Sequence, residues 1–184
     1  MKSSSEQGFA GSPTRRQMIA RSAIALGSVA AGLNLKACAQ QPSMAQAPST
    51  AESKMRTSLH QEVELQATPL KVYEILLDSK QFAAFTGFPA DIDPKSGGAF
   101  VMFGKLIEGR NIELIRPERV VQAWRPTAWP AGTYSLVRFE LKANGSNCIV
   151  ALDHSSFPEG SYDHLSQGWT ERYWEPLKKY LAQA

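Results

Sequence analysis

Cysteine is scarce. Cys38 and Cys148 are the only two in 184 residues, too few for a disulfide framework or a cysteine-rich zinc site. The three histidines, His60, His154 and His164, include no pair at ligand spacing beside a carboxylate, so no histidine metal centre is expected. No run reaches the roughly 20 apolar residues of a membrane-spanning helix. Motifs are missing too: there is no G-x-G-x-x-G, no phosphate loop and no G-x-S-x-G elbow. Asp91 to Gly98 has the outline of a calcium loop. It puts Ser96 where glycine is needed and leads to Met102 where a bidentate glutamate is needed. Asp153-His154-Ser155-Ser156 carries the letters of a hydrolase triad, but neighbouring strand residues point to opposite faces. The expectation is a chain without metal, without cofactor and without an assignable catalytic residue.

What is present begins with an unusual leader. Arg15-Arg16 precedes a moderately apolar stretch from Ser22 to Leu35, and Ala37-Cys38-Ala39 offers small residues for cleavage. This order predicts a twin-arginine (Tat) export signal over residues 1–39, a Tat machinery partner and a periplasmic or envelope location. Leu35-Lys36-Ala37-Cys38 approaches a lipoprotein cleavage site, with Lys36 where a small residue belongs. Lipidation of Cys38 is therefore the alternative to plain cleavage, and would be the only membrane attachment. Five basic residues lie before residue 40, opposed by Glu6 alone. Beyond the leader 15 basic and 16 acidic residues remain, a net of −1. The net charge of +3 thus belongs to the leader, and no basic patch is left to argue for nucleic acid.

Residues 40–56 are rich in Ala, Gln, Ser and Pro and read as a flexible linker. Residues 57–182 hold every Trp and Tyr and read as one domain with one core. Leu59 to Leu65 alternates as a strand. Thr68-Pro69 starts a helix, Thr68 capping and Pro69 in the first turn, and Asp78 caps a second helix through Phe85. A loop spans Gly87 to Gly98. Strands follow over 99–103, 106–115 (with Gly109 marking a bulge or bend), 119–125, 134–141 and 147–154, with a hairpin turn at Asn144-Gly145. A long helix then runs from about Tyr162, kinked at Pro176, with Leu165, Trp169, Tyr173, Leu177 and Tyr180 along one face. The fold class is α+β: a curved antiparallel sheet wrapped around a long C-terminal helix, with two short helices after the first strand.

Three segments carry a family resemblance. They are Pro69-Leu70-Lys71-Val72-Tyr73 with Phe85-Thr86-Gly87, Gly109 to Leu114 running into Arg119 to Arg125, and Gly168-Trp169 with Tyr173 to Leu181. Together they resemble the helix-grip fold of the SRPBCC superfamily, which includes START lipid-transfer domains, polyketide cyclases and birch-pollen-allergen-like proteins. Within it, the chain is most similar to the bacterial family related to the C-terminal domain of the activator of heat-shock protein 90 ATPase. The resemblance implies a helix-over-sheet cavity. It argues less for chaperone activation, since the eukaryotic activator grips its chaperone through a separate N-terminal domain that residues 1–56 do not resemble.

A cavity of that kind is a default ligand site. Its candidate lining residues are the aromatics Phe88, Phe103, Trp124, Trp129, Trp169 and Tyr173, with His154 and Arg110 as polar groups. Each also has a plain reading as core packing or surface charge. Cys148, in an apolar run, reads as a buried inert thiol. The function expected is binding or carriage of a small apolar or amphipathic molecule. The alternatives are a cofactor-free cyclase- or hydrolase-like enzyme and a chaperone-activator-like interaction domain.

Overall fold

A computed structural model of the chain describes residues 54–183. Arg15, Arg16, Cys38 and most of the linker lie outside the described residues. Strand β1 (Ser58–Leu65) leads into helices α1 (Pro69–Leu77) and α2 (Ser79–Thr86). The two caps read from sequence are made: Thr68 accepts from the Lys71 N–H at 3.3 Å and Asp78 from the Gln81 N–H at 2.8 Å. Six further strands follow: β2 (Asp91–Ile92), β3 (Ala99–Met102), β4 (Ile107–Ile115), β5 (Arg119–Pro126), β6 (Ser135–Asn144) and β7 (Asn147–Ser155). The short β2 lies inside the stretch expected to be loop. Helix α3 (Tyr162–Trp169), a π-helical segment (Thr170–Trp174) and α4 (Glu175–Leu181) close the chain.

The seven strands form one antiparallel sheet in the order β1-β7-β6-β5-β4-β3-β2. Every strand alternates between a face packed on the helices and a face toward solvent. The inner face carries Val137, Phe139, Val150, Leu152, Val120 and Trp124, all buried. On the outer face Arg119, Glu140, Arg138, Asp153 and His60 form a cross-strand ladder of charge pairs, the closest contacts being 2.7 Å. Asp153 thus has its histidine partner in His60, 93 residues away, while neighbouring His154 points inward. The Arg138 guanidinium, helped by His60, holds the Asp153 carboxyl below its ordinary range.

The bulge falls at Ile112, where the β4–β5 register shifts between Asn111 and Glu113, and not at Gly109. Gly109 has a different reason to be glycine. A Cβ there would lie 2.0 Å from the Ala123 carbonyl oxygen and 2.3 Å from the Phe100 ring, so Phe100 packs directly on bare backbone. The break in the last helix is likewise a defined structure. Pro176 has no N–H for the Arg172 carbonyl, and the turn before it widens: the Glu175 N–H reaches Thr170 O, five residues back. The widened segment keeps Trp169, Tyr173, Trp174 and Leu177 all buried against the sheet.

Candidate functional site

Where the long helix crosses the open end of the sheet, its face is not fully covered. A pocket of about 780 Å³ opens there, within the range of small-molecule sites. Leu165, Gly168, Trp169 and Tyr173 form the helix side. Ile107, Trp124 and His154 form the sheet side, and Phe88, Phe103, Leu106 and Trp129 come from loops. Seven of the residues singled out from sequence lie on this wall: Phe88, Phe103, Trp124, Trp129, His154, Trp169 and Tyr173. Arg110 does not. The sheet register pairs it with Ala123, opposite in face to Trp124, and its guanidinium donates to Gly97 O on the exposed side. Its place in a cavity is corrected by strand parity.

The pocket floor is held rigid from behind by two chains of buried hydrogen bonds. In the first, the Trp169 indole N–H donates to His154 Nδ1 at 3.0 Å. That fixes the neutral tautomer, so His154 Nε2–H donates to Ser135 Oγ at 2.7 Å, and Ser135 donates to Trp124 O. In the second, the Trp124 indole N–H donates to Gln122 Oε1, Gln122 to Asn111 Oδ1 and Asn111 to Asp93 O, each at 2.7–2.8 Å. The two indole rings meet with centroids 5.0 Å apart. Among the described residues no buried side-chain nitrogen or oxygen lacks a partner.

These networks decide the chemistry. Both His154 nitrogens are engaged, and burial pushes its pKa down to about 4, so it is a neutral structural group at ordinary pH. Burial also raises the Tyr173 hydroxyl and pushes the Cys148 thiol up to about 11, which keeps it protonated and inert. Among the described residues no group of three or more His, Cys, Asp or Glu could hold a metal. The wall is therefore apolar, aromatic and uncharged along its depth, suited to holding an apolar body.

Strain and exposure concentrate at the mouth. Phe103 holds φ at +53°, followed by Gly104 at +63° and Lys105 at +77°. A bulky residue in this region costs about 1–3 kcal/mol. Phe88 and Leu106 keep 46% and 54% of their surface exposed, leaving an uncovered apolar rim. Sequence reasoning missed Leu106, Ile107, Gly168 and Arg172 on this wall. Helical spacing from Trp169 reaches Leu165 and Arg172, whereas Leu106 and Ile107 follow a turn with three consecutive positive φ values that the sequence does not announce.

The geometry defines a class first: an α+β helix-grip protein with a helix-over-sheet apolar pocket. Residues 66–182 match the model of the family described as "Activator of Hsp90 ATPase homolog 1-like protein", and the chain belongs to that family. It is 23% identical over 112 residues to the human "Activator of 90 kDa heat shock protein ATPase homolog 1", covering 61% of this chain and 33% of that one. It is 26% identical over 116 residues to the Dictyostelium discoideum homolog, covering 62% and 30%. The chain thus spans about a third of the length of these curated relatives. Among solved structures, an HSP90 activator from Plasmodium falciparum superposes with a TM-score of 0.66 at 23% identity, covering 69% of this chain and 97% of that one.

Proposed function

We propose that residues 57–182 form a domain that binds or carries a small apolar or amphipathic molecule in the pocket beneath the long helix. The observation that carries this reading is Gly168. It sits inside a helix, where glycine costs about 0.5–1 kcal/mol relative to alanine, yet a Cβ there would meet nothing within 4 Å. Its backbone needs no glycine and its neighbours leave room for a Cβ. Open pocket is the one thing it preserves, and unrepaid local cost of this kind marks functional positions. The engaged state of His154 favours binding over acid–base catalysis. Membership of the family supports a second reading, an interaction domain acting on a chaperone. The outer sheet face is laced with charge pairs from Arg119 to His60, and its exposed large apolar side chains, Ile115 and Leu136 among them, stand between those charges.

The leader completes the proposal. Arg15 and Arg16 would direct the folded domain through the Tat machinery to the cell envelope, with Cys38 removed or lipidated and residues 40–56 as tether. Export in folded form allows a ligand to be loaded beforehand. Native mass spectrometry of protein from the envelope fraction should show a defined extra mass that is lost in denaturing solvent. A retained form carrying Arg15→Lys and Arg16→Lys, recovered from the cytoplasm, should carry the same mass. A bare polypeptide in both would count against a carried ligand.

A further inference from the structure

The pocket wall is apolar, but its ionisable side chains other than Tyr173 are all bases. They are His154, His164 and Arg172, and no carboxylate lines it. His154 is consumed by its own hydrogen bonds, which leaves His164 and Arg172, both exposed at the mouth. Six of the seven described arginines have a partner: Arg116, Arg119, Arg125 and Arg138 a carboxylate, Arg110 a carbonyl and Arg56 the Tyr162 ring. Arg172 alone among them makes no hydrogen bond, ion pair or ring contact. The nearby acid Glu171 lies off the pocket wall and accepts from Gln167. An exposed arginine on a helix is ordinary; an unpartnered one on the rim of an apolar pocket lacking acids is an unused anion site.

Helical geometry sharpens this. His164, Gly168 and Arg172 stand at i, i+4 and i+8, and all three line the pocket. The two basic side chains flank the bare backbone of Gly168, His164 about 6 Å along the axis on one side and Arg172 across the widened turn on the other. A negative group resting over Gly168 can be reached from both sides, while a chain attached to it runs down between Trp124 and Trp169. We infer that the preferred ligand of this pocket is an anionic amphiphile, its carboxylate or comparable monoanionic head held at Arg172 and His164 and its apolar tail in the aromatic interior. A guanidinium suits this role because it binds a carboxylate with two parallel N–H donors. This rests on the ligand-binding reading above and adds the sign of charge and the place of the head group.

The test compares three probes of equal chain length, decanoate, decanol and decyltrimethylammonium, kept below micelle concentration. Binding is read from the fluorescence of the pocket tryptophans at low salt. Decanoate should bind about tenfold more tightly than decanol, with the cation weakest. Only decanoate affinity should fall as salt is raised. Arg172→Gln should bring decanoate and decanol close to equal, and Arg172→Lys should restore part of the difference. Both substitutions are on an exposed side chain, so folding should be unaffected. Equal affinity of decanoate and decanol in the unsubstituted protein would overturn the anionic-head assignment and leave ligand binding standing. The same holds for a preference that survives Arg172→Gln. No binding of any probe would overturn both.

Discussion

Gly168→Trp should abolish binding of an apolar probe and leave the fold intact. The side chain would project into open pocket, since nothing beyond the helix's own neighbouring backbone lies within 4 Å of its Cβ position and the backbone is ordinary helix. A tryptophan buries about 150–250 Å², and its ring would find Trp124 and Trp169 in place of a ligand. Replacing glycine by alanine in a helix interior adds about 0.5–1 kcal/mol of stability, and by tryptophan less, so a rise of up to about 2–4 °C in Tm follows. The expected pair of results is therefore opposite in direction: affinity reduced below detection and Tm unchanged or raised. Gly168→Ala separates the two, giving the stability gain with only a modest loss of affinity. Calorimetric melting and a probe titration on the three proteins check this. A Gly168→Trp protein that still binds normally would move the ligand elsewhere.

The second large effect is acid sensitivity from His154. Above its ordinary pKa of 6.5 the folded and unfolded chains both hold it neutral, and it contributes no pH dependence. Between 6.5 and about 4 the unfolded chain takes up a proton that the folded one refuses, because burial disfavours the cation. Folding stability therefore falls as pH falls through this window, by about 3 kcal/mol in full. Protonation also puts a hydrogen on Nδ1, where the Trp169 indole N–H now donates, so the pocket wall should loosen as it titrates. Asp153, held low by Arg138, also loses stabilisation in acid. The comparison that isolates His154 is a urea-melting series from pH 7 to 4 on the unsubstituted protein and on His154→Gln. The variant should show a much flatter slope between pH 6.5 and 4; equal slopes would contradict the assignment.

The parts of this account that were legible in the sequence are those governed by short-range rules. Thr68 and Asp78 announced helix starts because capping acts over three residues. Trp169, Tyr173 and Leu177 declared a buried helix face because i, i+4 spacing does. The inward aromatic wall followed from these elements and the resemblance together. What failed depended on register. Arg110 and Trp124 both sit on adjacent strands of the right kind, and only the Arg110–Ala123 pairing shows that they face opposite ways. The bulge at Ile112, which sets that register beyond Asn111, carries no glycine to advertise it. His60 and Asp153 meet across 93 residues, and Gln122 meets Asn111 inside the core. Parity alone places Gln122 inward with Val120 and Trp124, but not the partner that makes its burial tolerable. Gly168 stands in sequence only as part of a family segment, while its meaning lies in the empty space beside it.

The central claim is that the space between the long helix and the sheet is a ligand site. The four indole N–H resonances report on it directly. Trp124, Trp129 and Trp169 line the pocket, while Trp174 lies behind Trp169 with its indole bonded to Gln61. Titrating decanoate into ¹⁵N-labelled protein should move the Trp124, Trp129 and Trp169 signals along one saturable curve, with Trp174 moving least. If all four stay fixed up to the micelle concentration, or Trp174 moves as far as the others, the pocket is not where the ligand binds.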